Sequence, residues 1–362
     1  MVEATSNLRK GVRGRIMAES LGFALIGCGV IGRTHAEAIA AVEGAHLAVA
    51  CSRTAESARG LAEQYGVDWC TDLRQAVARP DVDAVAVCTP SGFHAEPALA
   101  AFEVGKHVLV EKPIEITLEK ADRMIAAAEA ADRRLGVIFQ MRFDPAMRYV
   151  KAAVDEGKLG RLTLGEASVK WYRSPEYFRS AGWRGTRALD GGGVLMNQAI
   201  HYADLLLWTM GPVESVKAYA GTLLHPIEVE DTLVASLRFE SGALGVIEAT
   251  TTAFPRLTDR LEIAGTQGSV QVEGRRLRFK YFAEEDGADV GQFGLKSDRG
   301  WEAAEVVELR GEGGHAAQIA DFSAAVQEGR PPAVDGREGR RSLALVTAIY
   351  ESARTGREVR VR

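Results

Sequence analysis

The strongest constraint on the fold is a regular alternation of short apolar runs with helix-like segments through the first third of the chain. Four apolar runs that each lead into a helical pattern occupy 23–27, 47–51, 84–88 and 107–111. Apolar strands that alternate with helices indicate parallel βαβ units with right-handed crossovers. The sequence therefore predicts an α/β fold in which the first domain is a doubly wound parallel sheet.

The glycine-rich segment GCGVIG lies where the first of these strands meets its helix. Gly27 permits a tight turn, Gly29 lets a pyrophosphate approach the backbone, and Gly32 lets the helix pack closely on the strand. Val30 and Ile31, between the last two glycines, are predicted to contact the same ligand. Because helix N-termini attract phosphates, the segment predicts dinucleotide binding; the alternative is a glycine-rich turn without a ligand.

The end of the second strand bears on the choice of dinucleotide. An acidic residue about 20 residues beyond the glycines usually accepts a hydrogen bond from the ribose 2′-hydroxyl. In this chain Ser52 stands in that place and Arg53 follows it. No carboxylate would repel a 2′-phosphate there, so the sequence slightly favours NADP(H), and NAD(H) stays an alternative.

Two further strand ends, CTPSGFH and EKP, would lie at the carboxyl edge of the sheet, where ligands of doubly wound folds bind. Lys112 in the second of them leaves a buried strand and is fixed by a following proline, so it is poorly suited to solvation alone. The Lys112–Pro113 bond is a candidate for a cis peptide. A surface lysine in a turn is the alternative. The predicted cofactor contacts at these strand ends are Thr89, Pro90, His94, Glu111 and Lys112.

The length of 362 residues is too great for one ordinary core, so we expect two domains. They are predicted at 21–140, which binds the dinucleotide, and 141–362, which binds substrate and forms oligomers, after an extension at 1–20. In the second domain, six runs alternate with period two, which predicts a mostly antiparallel sheet with one covered face. These runs are LTLGEASVKW, VESVKAYAG, DTLVASLRFE, ALGVIEATTT, RLEIAGT and GSVQVEG.

Two late helices, at 315–327 and 339–354, are expected to pack back on the first domain, and 284–294 is predicted to be a loop. The net charge of −5 is spread along the chain, which argues against nucleic-acid and anionic-membrane partners. No apolar run approaches the roughly 20 residues needed to span a bilayer. The four cysteines have neither metal-ligand nor disulfide spacing, so we expect free thiols, a cytoplasmic location and no metal site.

The segment GGGVLMNQAIHYADLL, at 191–206, places Asn197 and His201 four residues apart on one face of a predicted helix. Its glycines would let the backbone pass close to a ligand. A single histidine here is typical of a core, but Asn197 beside it and Lys112 across the cleft favour a catalytic role for all three. Asp204 is interpreted as a partner that fixes the His201 tautomer, or else as a helix-surface carboxylate.

Aromatic and basic residues cluster just before this segment, in KWYRSPEYFRSAGWRGT. Aromatic rings stack on sugar C–H surfaces, and arginines bind hydroxyls, a carboxylate or phosphates. The alternative is a loop packed by its own aromatic side chains. Two residues of the segment FQMRF and two of the helix are also predicted to contact substrate. The full set of predicted substrate contacts is Gln140, Arg142, Trp171, Arg173, Tyr177, Trp183, Arg184, Asn197 and His201.

From about Leu21 onward the chain resembles the glucose–fructose oxidoreductase / inositol dehydrogenase (Gfo/Idh/MocA) family in GCGVIGRTHA, CTPSGFH, VLVEKPI and GGGVLMNQAIHYADLLLW. The resemblance implies a Rossmann domain, a second domain with a large open sheet that forms a homodimer or homotetramer, and an active site between them. It also implies that Lys112 works with His201. Many members have Asp where this chain has Asn197, and an amide cannot act as a general base.

The implied reaction is reversible hydride transfer between nicotinamide and a secondary alcohol of a pyranose sugar, glycoside, nucleotide-sugar or cyclitol. MNQ together with WRGT is similar to the sugar and nucleotide-sugar members, including UDP-N-acetylglucosaminuronate 3-dehydrogenases. An NAD-dependent glycosidase that oxidises its substrate transiently is the alternative enzyme on this fold. A non-catalytic regulator that senses dinucleotides is a third reading, which the presence of both Lys112 and His201 disfavours.

Overall fold

The residues that the computed structural model describes are 20–286, 309, 311 and 313–362. They form two sheets with helices packed on them, which confirms the predicted α/β class with a doubly wound sheet followed by a mostly antiparallel one. The predicted extension before Ser20, and the part of the predicted loop at 284–294 that follows Asp286, lie outside the described residues. The domain boundary at residue 140 stays a prediction.

The first sheet has six parallel strands in the order β3-β2-β1-β4-β5-β6. This order places the carboxyl ends of β1 and β4 side by side, at the switch point where dinucleotides bind. Both of these strands are buried along their whole length, as a parallel sheet covered on both faces requires. The strands are β1 (Leu21–Ile26), β2 (Ala45–Cys51), β3 (Asp68–Cys70), β4 (Ala84–Val87), β5 (His107–Val110) and β6 (Leu135–Val137).

The second sheet has eight strands in the order β13-β12-β11-β7-β10-β9-β8-β14, and all neighbours are antiparallel except the pair β7 and β10. Buried and exposed residues alternate along β9, so one face is covered and the other is open. The strands are β7 (Leu162–Lys170), β8 (Val213–Gly221), β9 (Thr232–Phe239), β10 (Leu244–Thr250), β11 (Arg260–Gly265), β12 (Gly268–Glu273), β13 (Arg276–Phe282) and β14 (Val359–Arg360).

Of the last two long helices, α11 contacts both sheets and α10 packs on the first domain, as predicted. Helix α10 packs against α1, while α11 contacts α5 and β6 on one side and α8 and β8 on the other. The helices are α1 (Val30–Ala41), α2 (Ala55–Tyr65), α3 (Leu73–Val77), α4 (Ala95–Glu103), α5 (Leu118–Ala130), α6 (Pro145–Asp155), α7 (Pro175–Arg179), α8 (Ile200–Met210), α9 (Ala283–Asp286), α10 (Gly314–Glu328) and α11 (Gly336–Thr355).

All four cysteines are free thiols, as predicted. In the part of the chain that the structure describes, no helix combines the length and the apolar character needed to cross a membrane.

Candidate active site

The GCGVIG segment forms the turn between β1 and α1, and two of its glycines are required by contacts within the protein. Gly27 has a φ of 104°, and a Cβ added to it would lie 2.6 Å from the Cys88 carbonyl oxygen. A Cβ on Gly32 would lie 2.0 Å from the Gly27 oxygen. The turn therefore packs directly on the end of β4 and on its own helix, in the way the motif predicts.

The third glycine faces open space, which is what a bound dinucleotide needs. A Cβ on Gly29 would meet no atom within 4 Å, and Gly29 caps α1 without a side-chain hydrogen bond. The backbone N–H groups of Val30 and Ile31 begin the helix and, like those of any first helical turn, have no partner within it. These residues fit the pyrophosphate of a dinucleotide. At the end of β2, Ser52 is half-buried and Arg53 is exposed.

His94 links the turns after β4 and β5 by hydrogen bonds. Thr89 and Pro90 form the half-buried turn after β4, and the His94 ring is buried beneath them. Its Nδ1 lies 2.8 Å from the Pro113 carbonyl oxygen and its Nε2 lies 2.9 Å from the Thr89 carbonyl oxygen. Burial lowers the pKa of His94. Both ring nitrogens thus contact protein, so His94 shapes the two turns that border the predicted cofactor site.

Lys112 leaves the end of β5 and reaches the second domain. The Lys112–Pro113 bond is cis. The Lys112 ammonium donates a hydrogen bond of 2.9 Å to the carbonyl oxygen of Asn197. Its side chain is half-buried, and burial lowers its pKa from an ordinary value of 10.5, while the charges of Glu111 and Asp190 act in the opposite direction. Two of the three predicted catalytic residues are therefore in direct contact.

The helix that carries Asn197 and His201 is not regular. A π-helical turn, Leu195–Ala199, precedes α8, and the sequence spacing did not reveal it. A π-turn is wider than an α-turn and interrupts its hydrogen-bond pattern, and such turns are frequent at functional sites. Here the Asn197 carbonyl oxygen accepts its bond from the Lys112 ammonium. Asn197 lies in the π-turn and His201 in α8, so the two residues are not separated by one regular α-helical turn, contrary to the prediction.

His201 is half-buried beside this contact. Its ring packs edge-on against Phe139, with 5.8 Å between ring centroids, and its Nδ1 is buried without a hydrogen-bond partner. Burial and, next, the positive charge of Lys112 lower the pKa of His201 from 6.5 to about 3. The imidazole is therefore neutral at physiological pH, and its Nε2 is the atom left to accept a proton.

Asp190 is a member of this site that sequence reasoning missed. Its Oδ1 accepts a 2.7 Å hydrogen bond from the Asn197 side-chain amide, and its Oδ2 accepts one from the Gly185 N–H. Burial raises the pKa of Asp190, while these hydrogen bonds and Lys112 act against that rise. Although this chain has Asn197 where many family members have Asp, the Asp190 carboxylate, seven residues earlier, lies beside it.

The glycines of the GGG segment have a different function from the predicted one. A Cβ on Gly191 would lie 2.4 Å from Ile116, and one on Gly193 would lie 1.7 Å from the Glu230 carbonyl oxygen. The space beside them is filled by protein, so the prediction that they let the backbone approach a ligand is wrong. Glu230 instead accepts hydrogen bonds from the N–H groups of Gly193 (2.9 Å) and Leu195 (3.0 Å), which caps the start of the helical segment.

The predicted roles of Asp204 and Arg142 are corrected by the structure. Asp204 is buried and accepts two hydrogen bonds of 2.7 Å from the Arg142 guanidinium and one from Ser342. It does not bond to His201, so it cannot fix the His201 tautomer. Arg142 is 5% exposed and also pairs with Glu338 in α11, so it faces the protein interior rather than the substrate cleft. The sequence showed that these residues are charged but not that they pair.

Replacing Arg142 with alanine is expected to lower the free energy of unfolding by about 3–5 kcal/mol, because it leaves the buried Asp204 carboxylate without its counter-ion. Urea unfolding followed by circular dichroism measures this change. Arg341, which pairs with Glu338 on a more exposed surface, provides a control, since Arg341→Ala should cost less than about 1 kcal/mol. Equal losses in the two variants would contradict the interpretation.

Glu111 belongs to a buried cluster that joins three distant parts of the chain. Its Oε1 lies 2.8 Å from His35 Nε2 in α1 and 3.6 Å from His315 Nε2 in α10, and its Oε2 accepts the Lys112 backbone N–H. Burial acts to raise the pKa of Glu111, but the hydrogen bonds from His315 and His35 hold it well below its ordinary value. The three side chains resemble a metal-binding set, but the 2.8 Å contact is a hydrogen bond. Glu111 thus contacts protein through both of its oxygens.

Guanidinium groups lie over the aromatic rings of the segment KWYRSPEYFRSAGWRGT. Arg173 lies over the rings of Trp171 and Tyr177, at 5.0 and 4.7 Å from their centroids. Arg184 lies over Tyr177 and Trp183, at 4.4 and 4.6 Å. All five side chains are half-buried, so the loop presents cations supported by aromatic rings rather than bare aromatic faces.

Gln140 lies after β6 and is also half-buried. Its Oε1 is buried and has no hydrogen-bond partner among the described residues. An unpaired buried amide oxygen is a suitable acceptor for a ligand N–H or O–H group. Its predicted contact with substrate stays a prediction.

Comparison with known proteins gives matches over both halves of the chain. The family description "Oxidoreductase family, NAD-binding Rossmann fold" matches residues 21–139, and "GFO/IDH/MocA C-terminal domain" matches residues 147–271. Myo-inositol 2-dehydrogenase of Thermotoga maritima is 30% identical over 346 residues, which cover 93% of this chain and 97% of that protein.

Two solved structures illustrate the structural similarity. The WlbA dehydrogenase from Bordetella pertussis, in complex with NADH and UDP-GlcNAcA, is 36% identical, has a TM-score of 0.84, and the match covers 95% of this chain and 99% of that one. Levoglucosan dehydrogenase, in complex with NADH and levoglucosan, is 28% identical with a TM-score of 0.84, and the match covers 94% and 99% of the two chains.

Proposed function

Because the chain belongs to the Gfo/Idh/MocA oxidoreductases, we propose that it transfers hydride reversibly between a secondary alcohol of a sugar or cyclitol and a nicotinamide dinucleotide, at the site formed by Lys112, Asn197 and His201. The observation that carries this proposal is the 2.9 Å hydrogen bond from Lys112 at the edge of the first sheet to Asn197 in the second domain. It supports the proposal because Lys112 follows β5 at the carboxyl edge where a dinucleotide would bind, and because its charge acts on the neutral imidazole of His201.

A bound nicotinamide would supply the chemistry of hydride acceptance, and the protein supplies the proton chemistry. Lys112, as an ammonium, orients the substrate hydroxyl and stabilises the negative charge that develops on its oxygen. His201 accepts the hydroxyl proton at Nε2. The positive charge of Lys112 lowers the pKa of His201, and it would lower the pKa of a bound hydroxyl in the same way. Asn197 cannot titrate, so it positions the substrate by hydrogen bonds.

The test of this function is a panel of sugars, glycosides, inositols and UDP-sugars supplied with NAD⁺ or NADP⁺ and followed by absorbance at 340 nm. Net formation of NADH or NADPH with at least one secondary alcohol is expected. Cleavage of a glycoside without net change in absorbance would favour the NAD-dependent glycosidase instead. Binding of dinucleotide without any reaction across the panel would favour a sensing protein.

For the cofactor we propose NAD(P)(H), with a small preference for NADP(H) that rests on Ser52 and Arg53. The half-buried Ser52 brings no charge to the ribose position, and the exposed Arg53 has no carboxylate partner in the described part of the chain. Relatives with NADH bound support NAD(H) as the alternative.

Replacing Ser52 with aspartate is expected to reduce kcat/KM with NADP⁺ by about tenfold or more, because a carboxylate beside the 2′-phosphate repels it, while NAD⁺ is retained. Steady-state kinetics with both cofactors measures the change in preference. Thr54→Asp, two residues further along on the exposed surface, is the control. An unchanged preference in Ser52→Asp would contradict the proposed position of the ribose.

We further propose that the protein is a cytoplasmic homodimer or homotetramer that assembles through the open face of the second sheet. Large apolar side chains are exposed there in pairs, with Leu164 opposite Leu244 and Tyr219 opposite Val234. Burying such a patch favours association. Light scattering coupled to size-exclusion chromatography is expected to give a mass of two or four chains, and Tyr219→Glu to reduce it; a monomer mass for the unaltered chain would contradict the proposal.

A further inference from the structure

Two arginines near the candidate active site lack an anionic partner. Neither Arg173 nor Arg184 forms an ion pair with a carboxylate among the described residues. Two neighbouring arginines do: Arg179 pairs with Glu176 at 2.6 Å, and Arg256 pairs with Asp259 at 3.4 Å. Arg173 and Arg184, which both lie over Tyr177, therefore differ from these two neighbours in having no carboxylate partner.

Both unpaired arginines are partly removed from water. The side chains are half-buried, and the Nε atom of each is buried without a hydrogen-bond partner. Burial and the like charges of Arg256 and Arg184 lower the pKa of Arg173. The aromatic rings offset part of the cost of burying these cations, but a cation that loses water without gaining an anion stays unfavourable. An anionic ligand would remove that cost.

Side-chain hydrogen bonds connect Arg184 to the candidate catalytic residue Asn197. The Arg184 guanidinium donates to the Tyr177 hydroxyl at 2.7 Å, and the Gln198 amide donates to the same hydroxyl at 3.2 Å. Gln198 also donates to the Asn197 side-chain oxygen at 3.3 Å. The positive charges of Arg184 and Arg173 contribute to lowering the pKa of Lys112. Arg184, and Arg173 on the same Tyr177 ring, therefore belong to the group of side chains that surrounds Asn197 and Lys112.

Two carboxylates lie near Arg184 without forming an ion pair with it: Glu228, which accepts from the Arg187 N–H, and Asp190. Asp190 is buried and accepts from Gly185 and Asn197, and it lies beyond ion-pair distance of Arg184. Beyond Arg184 a hollow lined by Phe178 and Ile227 has room for further ligand atoms. An anionic group between the two guanidinium groups would compensate their positive charges.

We propose that Arg173 and Arg184 bind an anionic group, a carboxylate or a phosphate, carried by the same substrate whose secondary alcohol lies at Lys112. The identity of the reacting hydroxyl rests on the proposed function; the anion site rests on the unpaired arginines alone. The planar guanidinium presents two parallel N–H donors that match a carboxylate or phosphate. The stacked rings hold each guanidinium in place before the ligand arrives.

The test compares probes that differ only in their charged group. The pairs are D-glucose with D-glucuronate, D-glucose with D-glucose 6-phosphate, and UDP-glucose with UDP-glucuronate. Binding to the full-length protein in saturating NADH is measured by isothermal titration calorimetry, and hydride transfer is measured separately at 340 nm. In at least one pair, the probe that carries the added carboxylate or phosphate is expected to bind about ten- to a hundredfold more tightly than its partner without that group. The first and third pairs isolate a carboxylate, and the second isolates a phosphate.

Variants identify the residues responsible. Arg184→Gln and Arg173→Gln are expected to abolish most of the preference for the anionic probe, while Arg184→Lys keeps part of it because the charge remains. Arg187→Gln, in the same loop but exposed and with its Nε donating to the Glu228 carbonyl oxygen, should leave the preference unchanged. If the glutamine variants do not fold, loss of the preference with increasing salt in the unaltered protein replaces them, since binding of uncharged D-glucose shows no such dependence.

Two outcomes overturn the proposal: no probe binds more tightly than its partner without the added anionic group, or both glutamine variants retain the full preference. In the second case, a change of oligomer mass in those variants would indicate that the arginines serve an interface. Turnover of neutral sugars without anion preference would leave the proposed function intact and remove only this inference. Tighter binding of an anionic probe without hydride transfer to or from any probe would leave this inference intact and contradict the proposed function.

Discussion

Replacing Lys112 with methionine is expected to lower kcat by about 10²–10³-fold while NADH still binds. Methionine is similar in length but has no charge, so it removes the donor that orients the hydroxyl and stabilises the negative charge on oxygen. The Lys112 ammonium also donates to the Asn197 carbonyl oxygen, so the variant loses one link between the first sheet and the second domain. Steady-state kinetics with the best substrate of the panel, and NADH fluorescence titration, measure the two effects separately.

Lys106 provides the matched control for Lys112. It is a half-buried lysine at the opposite end of β5, where its ammonium donates to the Arg79 carbonyl oxygen. Lys106→Met should leave kcat unchanged, because that end of the sheet lies away from the switch point. If Lys112→Met keeps more than a tenth of the original kcat, or if both variants lose activity equally, the role of Lys112 as the electrostatic stabiliser is contradicted.

The pH dependence of kcat/KM separates the two roles that a lysine can have here. Burial lowers the pKa of Lys112 from 10.5, so its ammonium is present at low pH and is lost as pH rises through that lowered value. If the ammonium is the active form, kcat/KM falls at alkaline pH with a midpoint below 10.5. Lys112→Arg keeps a cation at all these values of pH, so any activity it retains should lack this fall. A rise in kcat/KM through the same range would instead identify Lys112 as the base.

The positions of the strand-end residues could be predicted because they follow from local patterns. An apolar run, a glycine turn and a helix define a βα unit, and parallel strands must place their carboxyl ends at one edge. The placement of Lys112 at that edge, and of Gly27 and Gly32 in backbone contacts, follows from this rule. Period-two alternation predicted six of the eight strands of the second sheet for the same reason, and it missed the two strands, β13 and β14, that lie late in the chain.

The pairings between distant charges could not be predicted, because sequence spacing carries no information about them. Glu230 lies 37 residues after Gly193, which it caps, and Arg142 lies 62 residues before Asp204, which it neutralises. From the sequence alone, each was one charged residue among many. The sequence offered one indirect indication. A helix that begins with glycines has no capping side chain of its own, so its free N–H groups need an acceptor from another part of the chain. That reasoning would have predicted a cap, although not which residue supplies it.

Replacing His201 with asparagine is expected to lower kcat by about 10²–10⁴-fold, because an amide can bond to the hydroxyl but cannot accept its proton. The low pKa of His201, about 3, has a further consequence. The imidazole is already neutral at pH 5, so the unaltered enzyme should show no loss of kcat/KM from this group as pH falls from 8 to 5. His46→Asn, on the exposed surface, is the control and should leave kcat unchanged.

The double variant Lys112→Met/His201→Asn distinguishes a joint role from two independent ones. If the ammonium stabilises the same oxygen from which the imidazole removes the proton, the loss in the double variant should be much smaller than the product of the single losses. Residues that contribute separately would instead give losses that multiply. Since the charge of Lys112 acts on His201 in the free protein, their effects on the reaction should be coupled as well. Fully multiplicative losses would mean that the two side chains do not act on one oxygen, and hydride transfer at this site would need another base.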